Sequence, residues 1–212
     1  MGDHDGSGGT CLWDMLASVR RSEQRGVALA NATLQFMAFS AVGWVYEIAN
    51  DMICRHGFFP RASLAGPWCP IYGIGGLLIV ICLHRIRGVA RRATGMAGEV
   101  LVAAAGICLL VTAVELLGSY VCEWTMGSIP WDYSGYWGNF EGRIAPEFTL
   151  RFVLGGLVFL YLMDPAISRW CLRNPAPAKT LSAILAALLV ADVALESCGV
   201  WTTIIPRDGI LF

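Results

Sequence analysis

The sequence predicts an all-α protein, a polytopic bundle of about five transmembrane helices. Of its 212 residues, 56% are hydrophobic and only 15% are charged, whereas a soluble domain carries roughly 25% charge. The charges are also unevenly placed, so that long stretches contain almost none. A helix of about 20 apolar residues crosses the hydrocarbon core of a bilayer. The stretches that approach this length are residues 26–46, 62–83, 100–122, 148–163 and 180–199.

The last two of these stretches are the weaker spans. Residues 148–163 contain Arg151 near their start, where a long side chain can reach the membrane interface. Residues 180–199 are strongly apolar until Asp192 and Glu196. One of the two stretches could instead lie on the membrane or pack only against protein. Five spans remain the leading prediction.

The basic residues predict how the bundle is oriented. In a five-span arrangement three basic clusters fall on one side, and this is the cytoplasmic side by the positive-inside rule. The N-terminus is then cytoplasmic and the C-terminus outside. The clusters are Arg20, Arg21 and Arg25; Arg85, Arg87, Arg91 and Arg92; and Arg169, Arg173 and Lys179.

The remaining composition bounds the domains and ligands. Residues 1–25 are predicted to be a polar, partly disordered cytoplasmic segment, and residues 26–212 a single transmembrane domain. A net charge of −1 without a dense basic tract gives no indication of a nucleic-acid partner. His4, His56 and His84 are scattered, so we expect no metal site and no cofactor. A disulfide between Cys54 and Cys69 stays open, because spacing alone cannot show its geometry.

The entry to the second span is predicted to be broken. Pro67 and Pro70 remove backbone donors, and Gly73, Gly75 and Gly76 loosen the first turns of the helix. Non-helical backbone at membrane depth survives only where protein buries it or water reaches it. This segment therefore either lines a cavity or only breaks the chain before the helix.

Four acidic residues fall inside the predicted spans, toward the outer side. An ionised residue at a helix centre costs about 2.5–3.5 kcal/mol on insertion scales, so such residues face the bundle interior or water. We predict an acid–base network that opens outward, with arginines supplying the positive charge. The alternative is that these pairs only hold helices together. The acids are Glu47, Glu115, Asp192 and Glu196, and the main candidate arginines are Arg61, Arg143 and Arg151.

The loop between the third and fourth spans is the most aromatic and polar part of the chain. Its rings could form an interface belt and nothing more. Asp132, Asn139, Glu141 and Arg143 are interleaved with those rings, however, which favours a lid over an outward-facing site. The third helix also presents Ser119 and Glu123 on the face of Glu115, at spacings of four and eight residues.

Several ordered motifs together resemble a bacterial membrane family, "putative ABC-transporter type IV", whose members are described as ABC transporter permeases. They are G-W-x-x-E at 43–47, G-P-W-C-P-I-Y-G-I-G at 66–75, the Glu115 helix, W-D-Y-S at 131–134 and N-F-E-G-R-I at 139–144. The resemblance covers about residues 36–170. It departs from the usual pattern at Ala62, Glu141 and Asp164. It implies family motif positions at Trp44, Glu47, Arg61, Gly66, Pro67, Cys69, Pro70, Ile71, Tyr72, Gly73, Glu115, Trp131, Asp132, Tyr133, Ser134, Asn139, Gly142 and Arg143.

Two functions follow as hypotheses. In the first, the chain is a permease-like transporter subunit in the bacterial plasma membrane, with an outward-facing polar cavity for a small-molecule or lipid substrate. Because the sequence contains no G-x-x-x-x-G-K-[ST] motif, any ATPase is a separate chain. The candidate substrate-binding residues are Glu47, Arg61, Cys69, Tyr72, Glu115, Asp132, Tyr133, Asn139 and Arg143.

The second hypothesis is a membrane-embedded enzyme that acts on a lipid or lipid-linked substrate at the outer leaflet. Glu47 or Glu115 would then be the general acid or base, and Arg61 and Arg143 would clamp an anionic headgroup. Under either hypothesis we expect these four residues to share one outward-facing pocket, roofed by the loop at 131–142.

Overall fold

The computed structural model describes residues 7–54, 64–129 and 131–200, apart from the side chains of residues 7–22, 54, 85 and 126. The predicted all-α membrane bundle is confirmed over these residues. α1 begins inside the polar segment that was predicted to be partly disordered, well before the first span. The elements are α1 (Ser7–Cys54), α2 (Pro70–Met126), α3 (Pro146–Val158), a π-helical turn (Phe159–Met163), α4 (Asp164–Arg173) and α5 (Pro175–Ser197).

Four helices among the described residues are long and apolar enough to cross a membrane, so the chain is a multi-pass membrane protein. They are Glu23–Ile53, Ile86–Thr125, Pro146–Arg173 and Pro175–Ser197. The segment Pro70–His84 is apolar but shorter, and at 1.5 Å per residue it falls short of a hydrocarbon core of about 30 Å. The second span, predicted at 62–83, therefore becomes helical only at Pro70.

α2 folds back on itself at Gly95, which has φ 73° and ψ −167° inside an otherwise helical element. Residues before and after this point lie side by side. A Cβ on Gly106 would come within 2.6 Å of Leu83, and Arg87 donates to Glu99 at 2.9 Å. α2 therefore forms a helical hairpin. Since α3, the π-helical turn and α4 form one helix, Pro146–Arg173, counting the two arms of α2 separately gives five helical segments among the described residues.

The hairpin places five helix ends on one side of the bundle, which we call the loop face. They are the end of α1, the start and the end of α2, the start of α3 and the end of α5. The positive-inside rule predicts that this face is the outer one. At the opposite end Glu99, which is 2% exposed, pairs with Arg87 and Arg91.

The entry to the second helix is non-helical from residue 64 to residue 69, so the predicted break is confirmed. Its backbone donors are satisfied by protein. Asp192 on α5 accepts from the amides of Ala65 at 3.1 Å and Gly66 at 2.9 Å. The Cys69 amide donates to the Ser40 carbonyl at 3.0 Å. Lipid offers backbone groups no hydrogen-bond partner. These bonds therefore take the place of the helical hydrogen bonds that the segment does not form.

Apolar packing joins the α2 hairpin to the fourth span. The buried cluster consists of Ile79, Leu83, Ala103, Ile107, Val153 and Leu160. Helices approach closely in membranes where a small residue sits at the crossing. At Gly156 of α3 a Cβ would come within 2.7 Å of Ile107 and 3.0 Å of Ile79. This close contact holds α3 against both arms of the hairpin.

The π-helical turn follows α3, and polar groups in and directly after it contact α1 and the α2 hairpin. π-helical turns recur at functional sites in proteins. Tyr161 donates to Glu99 at 3.2 Å, which connects the turn to the α2 hairpin. Asp164, directly after the turn, accepts from Gln35 of α1 at 2.9 Å and from Ser168 at 3.0 Å. The turn thus links α1, the fourth span and the hairpin.

Gly95 gives the first testable prediction. Its backbone lies in a region that is essentially restricted to glycine, where other residues cost about 1–3 kcal/mol. We expect Gly95→Ala to lower the free energy of unfolding by about that amount, measured as thermal unfolding of the purified protein in detergent.

Gly88→Ala is the matched control. Gly88 is helical and, like Gly95, has open space where a Cβ would lie. Alanine is favoured over glycine within a helix by about 1 kcal/mol, so this variant should be as stable as the parent or more stable. Equal effects of the two substitutions would show that the hairpin does not depend on the Gly95 conformation.

Candidate functional site

The first pair of the site joins α1 to the start of α2. The Tyr72 hydroxyl donates a short hydrogen bond to the Glu47 carboxylate. The approach depends on Gly43, where a Cβ would lie only 2.2 Å from the Tyr72 ring. The glycine of the G-W-x-x-E motif therefore makes room for the Tyr72 ring, and the glutamate of the motif accepts the hydrogen bond from the Tyr72 hydroxyl.

The second pair joins the second arm of α2 to the long loop. Glu115 is 7% exposed, and the Tyr133 hydroxyl donates to its Oε1 at 3.3 Å. The Glu115 Oε2 atom is buried and has no hydrogen-bond partner. Burial, followed by the nearby Glu115 charge and a smaller contribution from Glu47, raises the pKa of the Tyr133 phenol. Tyr133 thus contacts Glu115 directly.

Aromatic rings surround these two pairs. Tyr133 stacks on Phe148 with ring centroids 4.2 Å apart. Tyr46, Tyr72 and Phe152 form a triangle with centroid separations of 5.9–6.2 Å. The sequence analysis missed the parts played by Phe148 and Phe152. Their spacing of four residues, which places both on one face of α3, was the available signal.

The loop between α2 and α3 is held in shape by its own polar residues. Asp132 accepts from the Ser134 amide and hydroxyl, and these bonds lower the pKa of the Asp132 carboxyl. The Asn139 side chain donates to the Tyr136 carbonyl at 2.8 Å and accepts from the Gly142 amide at 3.0 Å. Gly142 has φ 68°, a conformation that glycine adopts without strain. Among the predicted site residues, Asp132 and Asn139 therefore shape the loop.

Arg143 fastens this loop to the end of α2. It is 7% exposed and donates to Glu123 at 2.5 Å, Glu141 at 3.2 Å and Ser119 at 3.3 Å. Its guanidinium lies 4.0 Å from the centroid of the Tyr120 ring. The hydrogen bond to Glu123 is the main cause that raises the pKa of Arg143.

Arg143 therefore pairs with Glu123 and Glu141, whereas the sequence-based hypothesis placed it with Glu47 and Glu115. Ser119, one turn beyond Glu115 on the same helix face, is the nearest link between Arg143 and the buried carboxyl. The predicted partner Arg61 lies outside the described residues.

The other candidate residues fall nearby but are engaged elsewhere. Cys69 is a free thiol, and the side chain of Cys54, the disulfide partner considered for it, lies outside the described residues. Asp192 is 6% exposed and serves the first loop, because its second oxygen also accepts from the Trp68 indole at 2.9 Å. Sequence reasoning identified Asp192 as an intramembrane acid but could not find these partners, since they lie more than 120 residues away.

Comparison with known proteins identifies the family of the chain. The family model described as "Putative ABC-transporter type IV" matches residues 34–197, more than three quarters of the chain. The protein belongs to this family. A search of curated proteins and a search of solved structures returned no match.

Membership of the putative ABC-transporter type IV family confirms the resemblance seen in the motifs and extends it. The motifs suggested a match over about residues 36–170, whereas the family model continues to residue 197. The family pattern therefore includes α5, and with it Asp192 and Glu196. All five helical segments, the first loop and the long loop contribute residues to it.

Arg143 gives the second prediction. One guanidinium serves two carboxylates, a hydroxyl and a ring, and a lysine ammonium cannot reproduce this planar set of donors. A hydrogen bond to a charged group contributes about 1.5–3 kcal/mol. Glu123 and Glu141 are about half exposed, which favours the lower end of that range. We expect Arg143→Lys to lower the free energy of unfolding accordingly, measured by thermal unfolding.

Arg92→Lys is the comparison for this variant, because Arg92 is exposed. This variant should unfold at the same temperature as the parent protein. If Arg143→Lys also unfolded with the parent, the loop would not depend on the guanidinium.

Proposed function

We propose that the protein is a permease-like subunit of an ABC transporter in the bacterial plasma membrane. In this proposal its substrate enters from the loop face, in a polar cavity bounded by Glu47, Tyr72, Glu115 and Tyr133. Membership of the ABC-transporter family supports the transport role. The sequence has no phosphate-binding motif of the G-x-x-x-x-G-K-[ST] type, so a separate nucleotide-binding chain supplies the energy.

One observation supports the location of the cavity above the others. Glu115 lies in a helix long and apolar enough to cross a membrane and is buried, yet its described hydrogen-bond partner Tyr133 belongs to the long loop between α2 and α3. Ionisable residues within membrane-spanning helices commonly mark substrate pathways. The Tyr133–Glu115 contact links such a residue to the loop, and movement of the loop would uncover the carboxyl group.

The lining of this site also suits selective binding. Two carboxyl groups, two phenol hydroxyls and several rings converge from α1, α2, α3 and the loop. Ligand sites typically combine a mainly apolar wall with a few placed polar groups. The enzyme hypothesis remains the alternative, and none of the described contacts favours it specifically.

Purification from native membranes tests this proposal. We expect a nucleotide-binding protein to copurify with the tagged chain, and its ATP hydrolysis to rise when both are reconstituted in liposomes with substrate. Glu115→Gln should lower the stimulated rate by about tenfold or more, the effect of losing roughly 1.4 kcal/mol, while the complex still forms.

Glu147→Gln is the matched control, since Glu147 is an exposed carboxylate on the same face that pairs with Arg151. It should leave the stimulated rate unchanged. Repeated purification without any nucleotide-binding protein would refute the permease assignment.

A further inference from the structure

The two arginines that the structure describes at the loop face are already paired with acidic residues. Arg143 pairs with Glu123 and Glu141, and Arg151 pairs with Glu147 and donates to Asn50 at 3.1 Å. Within the described part of the chain, neither arginine contacts Glu47 or Glu115. An anionic ligand would have to displace these carboxylates, so the arginines of this region are poorly suited to binding one.

Glu47 and Glu115 are in the opposite position. In the described structure each is held by a tyrosine hydroxyl, which offers a hydrogen bond but no positive charge. One oxygen of Glu115 is buried without a partner, and the residue as a whole is 7% exposed. A buried carboxylate without a compensating charge costs several kcal/mol. Among the described residues, therefore, no positive charge compensates these two carboxyl groups, and a cationic ligand would supply one.

The rings beside these carboxyl groups indicate which kind of cation fits. A cation interacts with an aromatic face within about 6 Å of the ring centroid, and quaternary ammonium groups are recognised in this way. Tyr46, Tyr72 and Phe152 lie about 6 Å from one another beside Glu47, and Tyr133 stacks on Phe148 beside Glu115.

Rings of this region already receive cations from the protein itself. The Arg143 guanidinium lies over Tyr120, and Arg151 lies 5.0 Å from the centroid of Phe148. In contrast, the described residues contain no group of three or more His, Cys, Asp and Glu side chains that could hold a metal ion. The environment thus favours an organic cation over a coordinated metal.

We propose that this site binds a substituted ammonium cation, with Glu115 and Glu47 supplying the negative charge and the surrounding rings contacting the alkyl groups. The assignment deepens the proposed transport function by naming its substrate class, and it rests on that function for its biological meaning. It reverses the expectation that arginines at this face clamp an anion.

Ligand-dependent thermal unfolding of the purified chain alone tests the assignment. The probes are choline and tetramethylammonium, with 3,3-dimethylbutan-1-ol as the uncharged isostere of choline and inorganic phosphate as the anion. A ligand that binds only the folded state stabilises it in proportion to its occupancy. We expect the two cations to raise the unfolding midpoint by about 2 °C or more, and the isostere and phosphate to leave it unchanged.

Glu115→Gln should abolish this shift, because the amide keeps the size of the side chain and an acceptor for Tyr133 but removes the charge. Glu47→Gln should do the same, and it keeps the test valid if Glu115→Gln does not fold. Glu147→Gln should retain the full shift. A response to the isostere or to phosphate, or no response to either cation, would overturn the assignment.

The outcome is separable from that of the transport proposal, since the assay contains no ATPase. Stabilisation by choline without any copurifying nucleotide-binding protein would keep the cation site and remove the permease role. A copurifying, stimulated ATPase without cation binding would do the reverse.

Discussion

The hydrocarbon of the bilayer offers no hydrogen bonds, so each polar group that enters it must find a partner within the protein. The contact between Asp192 and the first loop shows what this constraint demands. The second predicted span becomes helical only at Pro70, and the six residues before it are not helical. The carboxylate of α5 and the carbonyl of Ser40 accept the backbone donors of this segment, and α1, α2 and α5 are held together as a result.

The same constraint acts differently at the two ends of the bundle. At the end opposite the loop face, Glu99 is compensated by Arg87, Arg91 and Tyr161, and this cluster fixes the base of the α2 hairpin. At the loop face Glu47 and Glu115 accept from tyrosine hydroxyls, while the described arginines Arg143 and Arg151 pair with other glutamates. Within the described residues, charge is therefore balanced locally around Glu99 but not around Glu47 and Glu115. The proposed cation site rests on this difference.

The long loop connects this site to the aqueous side. Arg143 and the hydrogen bonds of Asp132 and Asn139 give the loop a defined shape, and the Tyr133 hydroxyl attaches the loop to Glu115. The Tyr133–Glu115 bond is long at 3.3 Å and leaves the second carboxylate oxygen of Glu115 without a partner.

The sequence by itself determined the class of the fold, the approximate position of most spans, the break before Pro70 and the family. Hydropathy and glycine or proline chemistry act locally, so they can be read from neighbouring residues. It also singled out Glu47, Glu115, Tyr133 and Arg143, since charged and aromatic residues are conspicuous in an apolar chain. Only the tertiary structure decided which groups pair. Arg143 pairs with Glu123 and Glu141 and not with the buried carboxyl groups, and Asp192 accepts hydrogen bonds from a loop more than 120 residues away. Such pairing depends on distances between helices, which no local sequence pattern encodes.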